Sequence, residues 1–337
     1  MKESCFEPWG ENFQKGEDMK LSQIRKVSVI GAGIMGHGFA QIFAQKGYSV
    51  SLYDIDENIL KSALARIGAS LDTFIEHGMI RAKEKKPTLE RIAVTTELDE
   101  AVSQADFVLE AVPEIMALKK EIFVKLDRFA PPRAILASNT SGLSITQMGS
   151  VTQRPEKTII VHGINPPTII PVVEIVCGEK TSDETAELCY RLLLKLGKRP
   201  VRVLKEVPGF LFNRLQLALW REALHCLENG VATVEDIDDV VKSGYGFRLA
   251  NLGPLETSDF GGLDTFYRLA QNLFPDLSAA QSAPAVVEKL VQGGKLGLKT
   301  GEGFYSYPPA VAKKKIKLRD QRLLQQLKLF MSRGRKG

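Results

Sequence analysis

Between Ile159 and Val176 the chain reads IIVHGINPPTIIPVVEIV, two runs rich in β-branched residues that each carry one ionisable side chain, His162 and Glu174. Such runs have the composition of buried strands. A carboxylate buried in one must either lose its charge or find a partner offering counter-charge and hydrogen bonds. In a strand of period two, Val172, Glu174 and Val176 share a face. The acid therefore looks into a packed or cleft-lining surface, and His162 is the nearest candidate partner. Pro166, Pro167 and Pro171 stiffen the connection, which can return the chain with the two residues close together. An imidazole held by a carboxylate has a fixed tautomer and a stabilised cation, the arrangement of a general base. A structural histidine beside a strand-edge acid is the alternative that this stretch alone leaves open.

A second constellation lies near the start. VSVIGAGIMGHGFAQIFA sets Gly31, Gly33 and Gly36 in G-x-G-x-x-G spacing, with Ile34 and Met35 between the second and third, after a strand pattern and at the start of a helical one. The first glycine permits a tight turn, the second lets backbone approach a pyrophosphate, and the third allows close helix–strand packing. The helix N-terminus then meets the phosphates with free N–H groups and partial positive charge. Asp54 ends the next strand, where an acid would bind a ribose 2′-hydroxyl. Asp56 and Glu57 follow it with no base beside them, so a 2′-phosphate would be repelled and the cofactor expected is NAD, not NADP.

Hydride transfer from an alcohol carbon to nicotinamide leaves a proton on the hydroxyl, so such a site needs a general base and a group to hold the oxygen. Of the four histidines, only His162 follows a sheet strand at its expected C-terminal end, where open α/β sheets bind ligands. Ser138 follows the strand AILA at the same edge, although Asn139, Thr140 and Ser141 could also be a polar turn. Asn213 shares a helical face with Leu217, Trp220 and Leu224, and an amide there needs partners or a cleft.

The elements that must position these residues follow a βαβ rhythm from Arg25 onward. Strands are expected at KVSVIG, YSVSLYD, ADFVLEAV, AILAS, the two opening runs and RPVRVLK. Helices are expected after Gly33 to Gly47, from Glu57 to His77, at ALKKEIFVKLDRF and from Asp183 to Leu196. From Pro208 the pattern becomes helical: a long helix bounded by Pro208 and Gly230, then one with Thr233 as N-cap and Gly244 as C-cap, with further helices near 264–272 and 285–292. The expected organisation is a polar extension over 1–20, a Rossmann-like α/β nucleotide-binding domain over 21–205, an all-α domain over 206–310 and a basic tail over 311–337.

At 337 residues with 44% hydrophobic and 25% charged content, the chain has the composition of an ordinary globular protein with room for about two domains. Cys5, Cys177, Cys189 and Cys226 are far apart, without metal-type or disulfide-framework spacing, so no metal site is expected and a reducing cytoplasm fits best. The first twenty residues have no apolar stretch of a signal peptide, Met19 is a candidate start, and no run is long enough for a membrane span. The net charge of +5 is a property of the tail. Residues 313–337 hold ten bases and one acid, leaving 35 bases and 39 acids elsewhere. The tail is expected to be a solvated, frayed end. Its Ile316, Leu323, Leu327 and Phe330 at helical spacing leave open an amphipathic helix for an acidic partner, a membrane surface or nucleic acid.

The glycine loop, EAVPEIMALKKEIF, ASNTSGLSIT, HGINPPTIIPVVEIV, PGFLFNRL and GKLGLKTGEGFYSY, in this order, resemble the L-3-hydroxyacyl-CoA dehydrogenases from about Lys26 to Tyr307. The resemblance implies that His162 is the base, Glu174 its partner, Ser138 a hydroxyl near the substrate oxygen and Asn213 an amide reaching the site from the helical domain. It marks Glu114 and Lys119 as cofactor-contacting positions, although Lys119 by itself reads as a solvated helix lysine. It further implies a homodimer formed by the helical domain and a 3-hydroxyacyl substrate in the interdomain cleft. Two departures stand out. Gly163 and Ile164 replace two phenylalanines common in the family. Ser70 matches a serine of the members that bind coenzyme A, but Glu76 and His77 occupy their lysine positions, and an acid there disfavours an anionic nucleotide. NPPTIIPVVEIV, RPVRVLKE, GFLFNRLQ and GPLET are more similar to the branch of lambda-crystallin, L-gulonate 3-dehydrogenase and carnitine dehydrogenase. That branch implies the same chemistry on a free 3-hydroxy acid, or a non-catalytic structural use of the fold.

Overall fold

The apolar runs of the first two hundred residues form one eight-stranded sheet in the computed structural model, which describes residues 19–333. The strands are β1 (Lys26–Ile30), β2 (Ser49–Tyr53), β3 (Ile92–Thr95), β4 (Phe107–Glu110), β5 (Ile135–Ser138), β6 (Thr158–Gly163), β7 (Val172–Cys177) and β8 (Arg199–Val203). Their spatial order is β3-β2-β1-β4-β5-β6-β7-β8, and every neighbouring pair is parallel except β6 with β7. The order reverses between β1 and β4, the switch point at which doubly wound sheets bind dinucleotides. The edge strand β3 is not among the runs singled out by the sequence, because only Ile92 of its four residues is buried.

Helices α1 (Ile34–Gln45), α2 (Glu57–Glu76), α3 (Lys85–Glu90), α4 (Leu98–Val102), α5 (Met116–Phe129), α6 (Ile145–Gly149) and α7 (Asp183–Lys195) connect the strands. Strand alternation divides the core. Val29, Leu109, Ala137, Val161 and Ile175 point to the face that packs on α1, α2 and α7, whereas Val108, Leu136, Ile160 and Val176 point to the face of α5 and α6. By the same period of two, Glu110, Ser138, His162 and Glu174 all belong to the α5/α6 face, at or near strand ends. Each is almost completely inaccessible to solvent.

After β8 the chain is helical: α8 (Phe212–Glu228), α9 (Val234–Val240), α10 (Gly246–Leu249), α11 (Pro254–Gly261), α12 (Leu263–Leu273), α13 (Ala285–Gln292) and α14 (Pro309–Arg333). Thr233 caps α9, its side chain accepting from the Asp236 N–H. Gly244 does not end the helical path as its type suggests. It makes a kink with φ −95° and ψ −111° before α10. The chain packs as two compact units. One comprises residues up to Asn213 together with those from Arg319 onward, and the other residues Arg214–Leu318.

The described part of the basic tail is helix and not a frayed end. In α14, Leu324 is fully buried against Phe74 of α2 and Ile169 of the β6–β7 connection, with Leu323 and Leu327 beside it. The Arg199 guanidinium lies over the Phe330 ring at 5.4 Å. Leu323, Leu327 and Phe330 thus find partners within their own chain, whereas Ile316 stays 40% exposed.

Candidate functional site

Antiparallel pairing sets His162 directly opposite Glu174 in the β6–β7 ladder. The imidazole Nδ1 is 2.8 Å from Glu174 Oε2. A carboxylate can only accept, so Nδ1 carries a hydrogen, and in the neutral ring Nε2 is the nitrogen with the lone pair. The other carboxylate oxygen, Oε1, accepts the backbone N–H groups of Leu211, at 2.9 Å, and Phe212, at 2.7 Å. These are free donors at the start of α8, where the helix also contributes positive partial charge. Three donors thus satisfy a carboxylate that is 1% exposed. The buried Phe210 ring stands edge-on to the imidazole, 5.6 Å between centroids, in a turn where its φ is +49° and that of Gly209 is +74°. A bulky side chain in left-handed backbone is uncommon and is held there by its surroundings.

The sequence reading did not include Phe210 or the two amides. Their only signal is the PGFLFN stretch, whose glycine and helix start become meaningful once β7 is known to lie beneath them.

Ser138 has a different immediate partner from the one the resemblance suggests. Its hydroxyl donates to Glu110 Oε2 at 2.5 Å and accepts the Thr140 N–H at 3.2 Å. Lys119, expected from sequence alone to be solvated, is 1% exposed and donates to Glu110 Oε1 at 2.6 Å and to the Val112 carbonyl at 3.2 Å. It also lies 3.4 Å from Glu114 Oε2. Glu114 Oε1 accepts from the Thr140 hydroxyl and the Ser141 N–H. The Asn213 amide donates to the Ser141 carbonyl at 2.9 Å. Ser138, Glu114, Lys119 and Asn213 are therefore brought into one hydrogen-bonded network, with Glu110, absent from the sequence reading, among them.

The glycine loop fits a dinucleotide. A Cβ on Gly31, whose φ is +101°, would lie 2.6 Å from the Ala111 carbonyl oxygen, and one on Gly36 would meet the Gly31 carbonyl. Gly33 has nothing within 4 Å of that position, which leaves its backbone open to a pyrophosphate. Ile34, 61% exposed, and Met35 form the first turn of α1. Asp54 Oδ2 accepts the Ala32 N–H at 2.8 Å, which keeps the carboxylate beside the loop. Asp56 has a separate task as the N-cap of α2.

Of the other histidines, His37 directs Nδ1 to the Gly33 carbonyl, and burial lowers its pKa against that bond. His77 directs Nδ1 to the Thr73 carbonyl, and His225 lies near the end of α8 beside Asn229. The departure at Gly163 also has a local cause. A Cβ there would come within 2.4 Å of the Phe39 ring, so an aromatic residue of α1 fills that space. No group of acids, histidines and cysteines suited to a metal ion occurs among the described residues.

Comparison with known proteins gives a consistent result. Residues 26–207 match the model of the 3-hydroxyacyl-CoA dehydrogenase NAD-binding domain, and residues 209–307 match that of the 3-hydroxyacyl-CoA dehydrogenase C-terminal domain. A probable 3-hydroxybutyryl-CoA dehydrogenase of Bacillus subtilis is 41% identical over 286 residues, covering 85% of this chain and 98% of its own length. The 5-formyl-3-hydroxy-2-methylpyridine 4-carboxylate 5-dehydrogenase of Mesorhizobium japonicum is 36% identical over 291 residues, covering 86% and 93%. A crystal structure of a 5-dehydrogenase for that same pyridine carboxylic acid superposes with a TM-score of 0.83 at 33% identity, over 91% of this chain and 97% of the other.

Proposed function

The chain belongs to the 3-hydroxyacyl-CoA dehydrogenase family, and from that premise we propose that it oxidises an L-3-hydroxyacyl group to the 3-keto form, or runs the reverse reaction, with NAD. The observation that carries this reading is the buried His162–Glu174 pair. When bound, NAD supplies the hydride acceptor at its nicotinamide ring. Gly31, Gly33, Ile34, Met35, Gly36 and Asp54 would hold the dinucleotide, with Glu114 and Lys119 as further cofactor-contacting residues. Nε2 of His162 takes the proton of the 3-hydroxyl, while Glu174 keeps Nδ1 protonated and stabilises the imidazolium. Ser138 supplies a hydroxyl near the substrate oxygen, and Asn213 an amide at the site. His162→Ala, with its fold verified by circular dichroism, is expected to lose at least about 100-fold in kcat. Undiminished turnover would reject the assignment.

A second reading keeps the chemistry and changes the substrate to a small free 3-hydroxy carboxylate. Glu76, an acid where coenzyme A binders carry lysine, favours it, as does similarity to an enzyme acting on a pyridine carboxylate. NADH formation followed at 340 nm with L-3-hydroxybutyryl-CoA, free L-3-hydroxybutyrate, L-carnitine and L-gulonate separates the two, and repeating it with NADP tests the cofactor preference.

The second unit exposes Phe247, Phe260, Leu263, Tyr267, Leu269 and Phe274, an amount of apolar surface that a lone subunit rarely presents to water. A second copy of the chain is the partner we assign to it. Light scattering of the purified protein is expected to give twice the mass of one chain. The wide spacing of the four cysteines along the sequence, which suits a reducing compartment, supports a cytoplasmic setting.

A further inference from the structure

Three side chains that are each almost wholly buried meet at the end of β4. Glu110 is 0% exposed, Ser138 0% and Lys119 1%. They reach this point from three elements: the last residue of β4, its register partner at the end of β5, and the second turn of α5. Glu110 divides its two oxygens between them. Oε1 takes the Lys119 ammonium at 2.6 Å and the Val112 N–H at 2.7 Å, and Oε2 takes the Ser138 hydroxyl at 2.5 Å. The next residue, Ala111, is the one whose carbonyl lies against Gly31. One carboxylate therefore stands behind the dinucleotide loop, beneath Lys119 and beside Ser138.

We infer that Glu110 is a positioning residue that couples the cofactor side of the site to its substrate side by holding Lys119 and Ser138 at once, an inference that rests on the dehydrogenase reading above. The geometry gives it two distinct effects. As an acceptor, it forces the Ser138 hydroxyl to point inward. With the Thr140 N–H on the same oxygen, Ser138 keeps a single lone pair for anything approaching from the site. As an anion, it keeps a buried ammonium in place without solvent, and removing one partner of such a pair leaves an uncompensated charge. Burial pushes the Glu110 carboxyl up from its ordinary range, and Lys119, Ser138 and Val112 pull it back. Three donors on two oxygens match the carboxylate form.

The test is a cycle of Glu110→Gln and Ser138→Ala, singly and together, each verified as folded by thermal melting. It reads kcat with the best 3-hydroxy substrate and NADH affinity by fluorescence quenching. E110Q is expected to lower kcat at least tenfold in the wild-type background and less than threefold in the S138A background, because its effect passes through that hydroxyl. E110Q is also expected to weaken NADH binding at least fivefold in both backgrounds through Lys119, and S138A to leave it within twofold. Kcat losses that multiply, or wild-type kcat and NADH affinity in folded E110Q, would overturn the coupling. If E110Q is not recovered folded, Glu110→Asp keeps the charge facing Lys119 but withdraws from Ser138. It is expected to keep NADH affinity within twofold, with the same non-additive loss of kcat, and multiplying losses would again overturn the proposal. A wild-type protein that binds NADH but turns over no 3-hydroxy substrate would instead refute the proposed function, and the NADH titrations of the variants would still report on Lys119.

Discussion

Glu174 meets three donors with two oxygens, and this count decides what a substitution there does. Glu174→Gln keeps the shape but offers one acceptor oxygen, so it cannot serve His162 on one side and both Leu211 and Phe212 on the other. An unsatisfied buried donor costs about 1–3 kcal/mol. The variant is therefore expected to lose up to about that amount of stability in chemical denaturation, less where the imidazole turns an Nδ1 lone pair to the new amide N–H, and to lose about 100-fold or more in kcat because the histidine tautomer is no longer imposed. Chemical denaturation and steady-state kinetics on one preparation check both. His162 and Glu174 were legible in the chain because an ionisable residue in a β-branched run has no cheap explanation. Glu110 was not. It ends a strand like many acids, and only its enclosure by Lys119 and Ser138 gives it significance.

The β6–β7 connection shows how an element is held in register. Its Pro167 and Ile170 carbonyls both accept from the Lys198 ammonium, which approaches from the turn before β8. Burial, with Lys46 nearby, lowers the Lys198 pKa from 10.5 to about 8. Between those values the unfolded chain binds more protons than the folded one, so this residue makes stability rise with pH across that window. Relative to Lys198→Met, the wild type is expected to gain about 3 kcal/mol between pH 8 and 10.5, since each pKa unit corresponds to about 1.4 kcal/mol. Urea denaturation at a series of pH values measures it, and a constant difference would rule it out. Seven of the eight strands could be read from their apolar runs, whereas β3 could not, because an edge strand needs little burial and carries little pattern. The kink at Gly244 was missed for a related reason: glycine marks a change of direction without saying whether the helix resumes.

Across the molecule, the last helix returns to the unit in which the chain began. Leu324 fills the space between Phe74 and Ile169, so Leu324→Ala is expected to cost about 3 kcal/mol locally. The expected signature is faster hydrogen exchange over residues 319–333 with the central strands unchanged. Equal protection in the variant would mean that the contact contributes little. The charge division of the sequence, a basic tail on a slightly acidic body, gave no indication of this docking. Local pattern was enough to indicate the α/β sheet, the dinucleotide loop and the pairing of His162 with Glu174, since each depends on spacing along a few residues. The tertiary structure alone decided that a carboxylate from β4 joins Ser138 to Lys119, that α8 donates its first amides to Glu174, and that the tail covers Ile169. Those contacts join residues far apart in sequence, and burial makes each one matter by removing the water that would otherwise satisfy every group separately.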